Sequence, residues 1–412
     1  MKPNSDNMRI LILICLASVL QYVNAQTMPQ WEKGYLDIHQ ISTRNGNASF
    51  IIFPDGTTLL VDAGDLDKDA FHKRYPLKVS PSAFDKSYTT GRIIQNYVAK
   101  VYGKPIDNVD YFILTHFHSD HYGEVRNDSP LSPTQLYHQT GVTELGDKIV
   151  FRNFIVRDYP ERAQDLMNDK FTEKNFANLL KFIEYQKNQK GMKLQKVKAG
   201  ALNQIRPLHD SIPQFSVRNI KTNNLVWTGI GQSVKSIFPY SRLVKIENYE
   251  NSLSAAFVIQ YNNFKYYFGG DNTGLQDQDH PAWFDCETPM AKVIGKVNVM
   301  VTNHHGNRDA TNRTFIEMLD PKVVILPTWC SDQPGAEVGM RLISPNIGTR
   351  ERDIFVTHYQ ADTSIGIGSW FEEKVKSKRG HVAIRVSPDG SYKVYVLDDE
   401  TSGLEIRSVY SY

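Results

Sequence analysis

Cysteine is scarce in this chain: three in 412 residues, at positions 15, 286 and 330, with no Cys-x-x-Cys pair. That excludes a disulfide scaffold and a thiolate zinc site, and leaves only Cys286 and Cys330 available for a bond in an oxidising exterior. An excess of charge is also lacking. There are 47 basic and 45 acidic residues, a net charge of +2, which is not the footprint of a nucleic-acid-binding domain. Beyond the N-terminus no apolar run is long enough to span a bilayer. No short-period repeat or low-complexity linker interrupts the chain. What remains is ordinary globular composition, 41% hydrophobic and 22% charged, with length for one large or two ordinary domains.

The first 25 residues read as a secretory signal. Lys2 and Arg9 sit in a polar start, Ile10 to Leu20 is an apolar core too short for a span, and Val23-Asn24-Ala25 is an exit of the A-x-A kind. Cleavage after Ala25 removes Lys2, Asp6 and Arg9, leaves a net charge of about +1, and sends the mature chain to the periplasm or exterior without a membrane span. Cys15 lies inside the apolar core behind bulky Leu13-Ile14, which argues against a lipoprotein anchor.

Against this plain background one loop is dense with chemistry. Thr115-His116-Phe117-His118-Ser119-Asp120-His121 carries four metal-ligand side chains within six residues. It follows Val109 to Leu114, an apolar, aromatic and β-branched run that predicts a buried strand. Sites in open α/β sheets collect at strand ends. His116 and His118, two apart, project to one side of extended backbone, and Asp120 and His121 turn toward a second position. Imidazole and carboxylate are the ligands that zinc-like ions take.

Two further strand ends repeat the theme. Leu253 to Gln260 and Phe264 to Phe268 read as a hairpin ending in Gly269-Gly270-Asp271, where glycines allow close approach and one carboxylate is presented. Val297 to Thr302 reads as a strand ending in Asn303-His304-His305-Gly306. Near the start, Leu36 to Ile38, Ser49 to Phe53 and Thr57 to Asp62 predict strands around a Pro54-Asp55-Gly56 turn, with Asp62 either a capping carboxylate or a partner for a metal-bound His. Thr90 to Val101 predicts a helix closed by Gly103. Residues 127 to 204 read as a helical insertion, with Phe176, Leu179, Leu180 and Ile183 on one helix face. Lys187, Lys190, Lys193, Lys196 and Lys198 follow, and a solvated helix tail explains them more simply than contact with an anion. Arg313 to Leu319 predicts a helix capped by Thr311 or Asn312. Ile354 to Thr357, Val382 to Val386 and Ser391 to Leu397 are expected to complete a second sheet.

H-x-H-x-D-H at 116 to 121, Gly270-Asp271, the late His-His and the hairpin ending in Val61-Asp62-Ala63-Gly64 together resemble the metallo-β-lactamase fold superfamily. Within it the chain is most similar to ComEC-type hydrolase domains associated with DNA uptake. The shared features are the Leu-Asp-Ile, Phe-Pro-Asp-Gly-Thr and Val-Asp-Ala-Gly opening, Asn251-Ser252-Leu253 before Gly270-Asp271, and His-His-Gly at 304 to 306. The resemblance implies an α/β fold, an αββα sandwich of two mixed sheets flanked by helices, as one hydrolase domain over 26 to 412. It implies two divalent ions, zinc first, with manganese or iron as alternatives. His116 and His118 would hold one ion, Asp120 and His121 the second, and Asp271 would bridge. One of His304 and His305 would join the second ion, with His305 favoured, and the other would touch substrate or leaving group. A further histidine usual between the first motif and the bridging Asp has no clear counterpart; only His138 and His209 lie in that interval. Its lack argues against an authentic β-lactamase. His39, in the first hairpin near the expected mouth, is a substrate-contact candidate but reads more simply as a surface residue.

The reading that follows is a secreted two-metal hydrolase of phosphodiesters or other phosphate esters, working through a hydroxide generated on the metals. Asp120 would orient that hydroxide, and His304 would assist the leaving oxygen. The alternative is hydrolysis of a carboxylic ester, lactone or β-lactam at the same site. A non-catalytic metal-binding interaction protein ranks below both. Substrates are small molecules or phosphoesters; nucleic acid stays open as a substrate, although the charge does not argue for it.

Overall fold

The computed structural model describes residues 26–82, 88–158, 170–239, 249–275 and 284–412; the signal segment 1–25 and Pro160 lie outside them. Two nine-stranded sheets form the frame. The first contains β1 (Leu36–Gln40), β2 (Ser49–Ile52), β3 (Thr58–Val61), β4 (Asn108–Leu114), β5 (Val150–Val156) and β6 (Lys193–Lys196), with β16 (His381–Val386), β17 (Tyr392–Leu397) and β18 (Ile406–Ser411). Its order is β18-β17-β16-β1-β2-β3-β4-β5-β6. The second contains β7 (Phe215–Thr222), β8 (Leu225–Trp227), β9 (Val234–Ser236), β10 (Ala256–Tyr261), β11 (Phe264–Phe268), β12 (Val299–Val301), β13 (Val323–Leu326), β14 (Asp353–Val356) and β15 (Val375–Ser377). Its order is β15-β14-β13-β12-β11-β10-β7-β8-β9.

Alternation in β4 explains how the sheets stack. Tyr111 and Ile113 face the core between the sheets, where they join Ile51, Leu59, Phe257, Phe268 and Val299. Phe112 and Leu114 face outward into a second core with Ile94, Phe154, Leu179 and Phe182 beneath the helices Thr90–Tyr102, Gly141–Lys148 and Lys170–Lys190. Both faces of β4 are covered, so the strand reads as a continuous apolar run. Each such large side chain contributes about 1.5–3 kcal/mol by burial. A third core, with Met290, Phe315, Val324 and Leu342, lies under the helices on the outside of the second sheet. The layers run helix, sheet, sheet, helix, the αββα arrangement.

Several boundaries differ from the sequence reading. The stretch 127 to 204 is not an appendage: β5 and β6 extend the first sheet in parallel from β4, and Phe176 and Ile183 pack into its core. β16 and β17 do not close the second sheet with β14. They join the first, because β16 pairs with β1 through Leu36↔Val386 and Ile38↔Ile384. Polar, Pro-bearing Asp67 to Gly91 reads from sequence as loop with fragments, but it contains a helix, Lys68–Arg74, whose cap Asp67 accepts bonds from the Asp69 and Ala70 N–H groups. Cys286 and Cys330 are free and buried in separate clusters, one with Phe238 and Leu253, the other with Leu66 and Val79. No helix among the described residues is long and apolar enough to cross a membrane.

Candidate metal centre

The ends of β3, β4, β11 and β12 open onto one edge of the sandwich. β3 runs parallel to β4, and β11 parallel to β12, so their C-terminal ends present loops on the same side of each sheet. After β3, Asp62 turns into left-handed backbone at φ 58°, and Gly64 passes against the metal loop. A Cβ on Gly64 would lie 1.7 Å from the Asp120 carbonyl oxygen, which is why the Val-Asp-Ala-Gly motif ends in glycine. Gly269 is constrained in the same way, since its Cβ would meet the Tyr267 hydroxyl at 1.9 Å.

These loops bring six of the candidate side chains together. Ligand atoms of Asp120, His121, Asp271 and His305 lie within 4.8 Å of one another, as do those of His116, His118 and Asp271. Asp271 belongs to both groups. Its Oδ2 is 3.2 Å from His121 Nε2, 3.4 Å from His305 Nε2 and 3.7 Å from His116 Nε2. All are buried except His118, which is half-buried.

The donor set fits divalent ions on structural grounds. The Nε2 atoms of His116 and His121 are buried with no hydrogen-bond partner, a costly arrangement unless something else satisfies them. His121 is oriented through its other nitrogen: Nδ1 lies 2.7 Å from Asp62 Oδ2. His305 Nδ1 is 3.0 Å from the Pro327 carbonyl, which likewise turns Nε2 toward the carboxylates. Asp62 is itself fixed, accepting from the Thr115 N–H at 2.8 Å and from Asn47 Nδ2 at 3.0 Å.

Electrostatics in the cluster are strongly coupled. Burial opposes charge on His121, but Asp271, Asp120 and Asp62 outweigh it and hold its pKa well above the ordinary value. Burial would raise Asp120 and Asp271, yet the neighbouring His121 and His305 hold both well below the usual carboxylate range. His116 moves the other way: burial and then His121 push it well below an ordinary histidine. An ion bound by this cluster would displace the protons that His121 and His305 hold, whereas His116 is already neutral.

His304 stands apart from its neighbour. Its Nδ1 is 2.6 Å from Asp309 Oδ1 and its Nε2 3.2 Å from Asn251 Nδ2, while Asp271 Oδ2 is 3.9 Å away. Burial works against its charge, but Asp309 raises its pKa to about 9. Both His304 and His305 adopt left-handed backbone, φ 47° and 55°, a conformation that costs of order 1 kcal/mol per residue. The His304 N–H donates to the Gly270 carbonyl at 3.1 Å and ties the two loops together.

The remaining sequence candidates fall elsewhere. His39 is fully buried in β1 rather than on the surface, and its Nδ1 meets the Tyr97 hydroxyl at 3.0 Å. Burial, then the charges of Arg385 and His381, push its pKa down to about 3. It belongs to the packing of β1 against the helix Thr90–Tyr102, because its side chain faces the helix layer. His138 Nδ1 bonds the Ser129 carbonyl at 2.9 Å, and half-exposed His209 sits beside Asp110, near the opposite end of β4 from the metal loop. Neither joins the cluster.

Three supporting groups carried little sequence signal. Asp309 follows His304 by five residues, and that spacing is its only mark. Glu250 accepts two 2.6 Å bonds from Arg157 and one from the Phe117 N–H, bracing the metal loop from β5's end. Glu287 accepts from Asn303 Nδ2 and from the Thr311 and Asn312 N–H groups, and burial raises its pKa to about 7. The last two lie far in sequence from the loops they hold.

Residues 42–127 match the family model of the metallo-beta-lactamase superfamily. That span holds Asp62, Gly64 and the whole His116 to His121 loop. No curated protein matches the chain. Among solved structures, a mutant of the CmlA beta-hydroxylase is similar at 13% identity over 79% of this chain and 53% of that one, TM-score 0.36. The chain thus spans about half of that protein's length. The short form of human tRNase Z is similar at 12% identity, covering 70% of this chain and 91% of that one, TM-score 0.28. Zn(2+)-bound PqqB from Methylobacterium extorquens is similar at 9% identity, covering 82% and 87%, TM-score 0.33.

Proposed function

We propose that the chain is a metal-dependent hydrolase of phosphodiesters or related phosphate esters, holding two divalent ions, zinc foremost. His116, His118 and Asp271 would hold one ion, and Asp120, His121, Asp271 and His305 the other. When bound, such ions supply Lewis acidity toward a phosphoryl oxygen and lower the pKa of water toward neutrality. The observation that carries the reading is the uneven donor count. Three protein ligands on the His118 side against four on the other leave the half-buried side free for a substrate oxygen.

The chain's own residues supply orientation and proton transfer. Asp120 Oδ2 lies 3.0 Å from His305 Nε2, which fixes the carboxylate where it can align an attacking oxygen. His304 is the proton donor to the leaving oxygen, kept charged by Asp309. A charged His304 requires the Asn251 amide to turn its Oδ1, which has no partner here, toward Nε2. Asn251, Asp271 and the His-His-Gly loop are also the positions at which the chain resembles ComEC-type domains, and that likeness favours a phosphodiester over a lactam. A location outside the cytoplasm rests on the leader-like residues 1–25 alone.

The test is turnover of bis(p-nitrophenyl) phosphate by the metal-loaded chain, run beside a lactone panel and a chromogenic β-lactam. Phosphodiester turnover lost in Asp271→Asn is the expected result. Turnover of lactam or lactone with none of phosphodiester would reverse the substrate assignment. Inactivity toward all three would leave a metal-binding, non-catalytic protein.

A further inference from the structure

A concave site lies near the other end of the first sheet from the metal cluster. A cleft of about 710 Å³ opens where β4, β5 and β6 begin, lined by Arg152, Lys190, Lys193, Lys198 and Arg206. Tyr111 also lines it, five residues before His116, which at the strand rise is roughly 15 Å from the metal loop. The lysines are members of the basic run after the helix Lys170–Lys190. A solvated helix tail would fan these side chains into water. Here the turn at Gly191, the start of β6 and the connection from β6 to β7 set them around one cavity instead.

Charge around the cleft is poorly compensated. Arg152 has Asp110 at 3.3 Å. Lys190, Lys193, Lys198 and Arg206 have no ion-pair partner among the described residues. Like charges held round a common concavity repel one another and focus a positive potential into it. Part of the lining is a fixed row of amides. Asn153 donates to the Asp110 carbonyl at 2.8 Å, Gln195 donates to Asn153 Oδ1 at 3.1 Å, and Gln204 donates to the Lys196 carbonyl at 2.7 Å. Asn153 and Gln195 each use one amide N–H in this row and have a second to offer.

We infer that this cleft binds a small polyanion carrying phosphate or sulfate ester groups, at a site separate from the metal centre. Cations round the rim would neutralise the ester oxygens, and the amides would take hydroxyl or ester oxygens at the floor. The cavity volume suits a ligand of a few such groups rather than a single inorganic ion. The inference does not depend on the hydrolase reading, since none of these residues belongs to the metal cluster.

The experiment is calorimetric titration of the full chain with tripolyphosphate and, separately, with a sulfated heparin disaccharide. Four chains are compared: the unaltered protein, Asp271→Asn, the double variant Lys193→Ala with Arg206→Ala, and Lys198→Glu. At least one probe should saturate a single site on the first two with equal affinity. The double variant should weaken that binding about tenfold or more, and added salt should weaken it further. Tripolyphosphate alone binding would identify phosphate esters as the ligand class; binding of both would include sulfate esters. Lys193 and Arg206 are exposed, so the double variant should keep its melting temperature. Lys198→Glu, a single exposed change, should give a graded loss. No saturable binding of either probe would overturn the inference, as would binding that the double variant keeps and Asp271→Asn loses.

Discussion

Asp62 Oδ2 lies 2.7 Å from His121 Nδ1, and the same carboxylate accepts the Thr115 N–H at the start of the metal loop. One side chain therefore sets both the direction of a ligand nitrogen and the path of the backbone that carries it. Asp62→Ala should lower metal affinity by about 10–100-fold, measured by competition with a chromophoric chelator. Unchanged affinity would mean that packing alone orients His121.

Asp271 is shared between both ligand groups. Asp271→Asn keeps its volume but removes the charge, and metal analysis of the dialysed variant should show a loss of bound ions, with hydrolysis reduced by at least about a hundredfold. Full metal content in that variant would remove Asp271 from the bridging position.

Protons compete with ions in this cluster. Neighbouring carboxylates raise the pKa of His121 and of His305 against the effect of burial, so both hold protons more tightly than free histidine. Metal binding must expel those protons, and affinity should rise as pH increases through neutrality. Titration in buffers of differing ionisation enthalpy would count the protons released. A pH-independent affinity with no release would contradict the charge states described above.

Arg157 and Glu250 form a buried pair through two 2.6 Å bonds. Arg157→Met would strand the Glu250 carboxylate and should cost about 3–5 kcal/mol in urea unfolding. Pairing it with Glu250→Gln should recover part of that loss, because the neutral amide needs no counter-charge.

Gly64→Ala should also destabilise the chain, by about 1–3 kcal/mol, as its methyl group would overlap the Asp120 carbonyl. A melting curve superimposable on that of the unaltered protein would show that the loop shifts at no cost.

Most of what positions the centre was legible in the sequence, because the relevant strands are buried on both faces and end abruptly in polar loops. β4, the hairpin of β10 and β11, and β12 all read as apolar runs followed by His or Asp. Strands with mixed faces were harder. β5 and β6 mix charged, polar and apolar residues without a clean period, as in Val150-Phe151-Arg152-Asn153 and Lys193-Leu194-Gln195-Lys196, so their sequences read as part of an insertion. The destination of β16 was illegible for another reason: pairing with β1 is a contact across most of the chain, and no local pattern encodes it. His39 misled because a lone histidine in a short strand carries no sign of which face it takes. Asp309, Glu250 and Glu287 act only through tertiary contacts, which local spacing cannot report.

The centre draws His116, His118, Asp120 and His121 from the first sheet and Asp271 and His305 from the second. No segment of the chain holds a complete set by itself. A nascent chain therefore cannot offer an ion the full ligand set until the two sheets have docked, and an ion taken up afterwards would join them across the seam. A bound ion would then stabilise the docked arrangement of the two sheets, and its removal by a chelator should lower the stability of the joint between them.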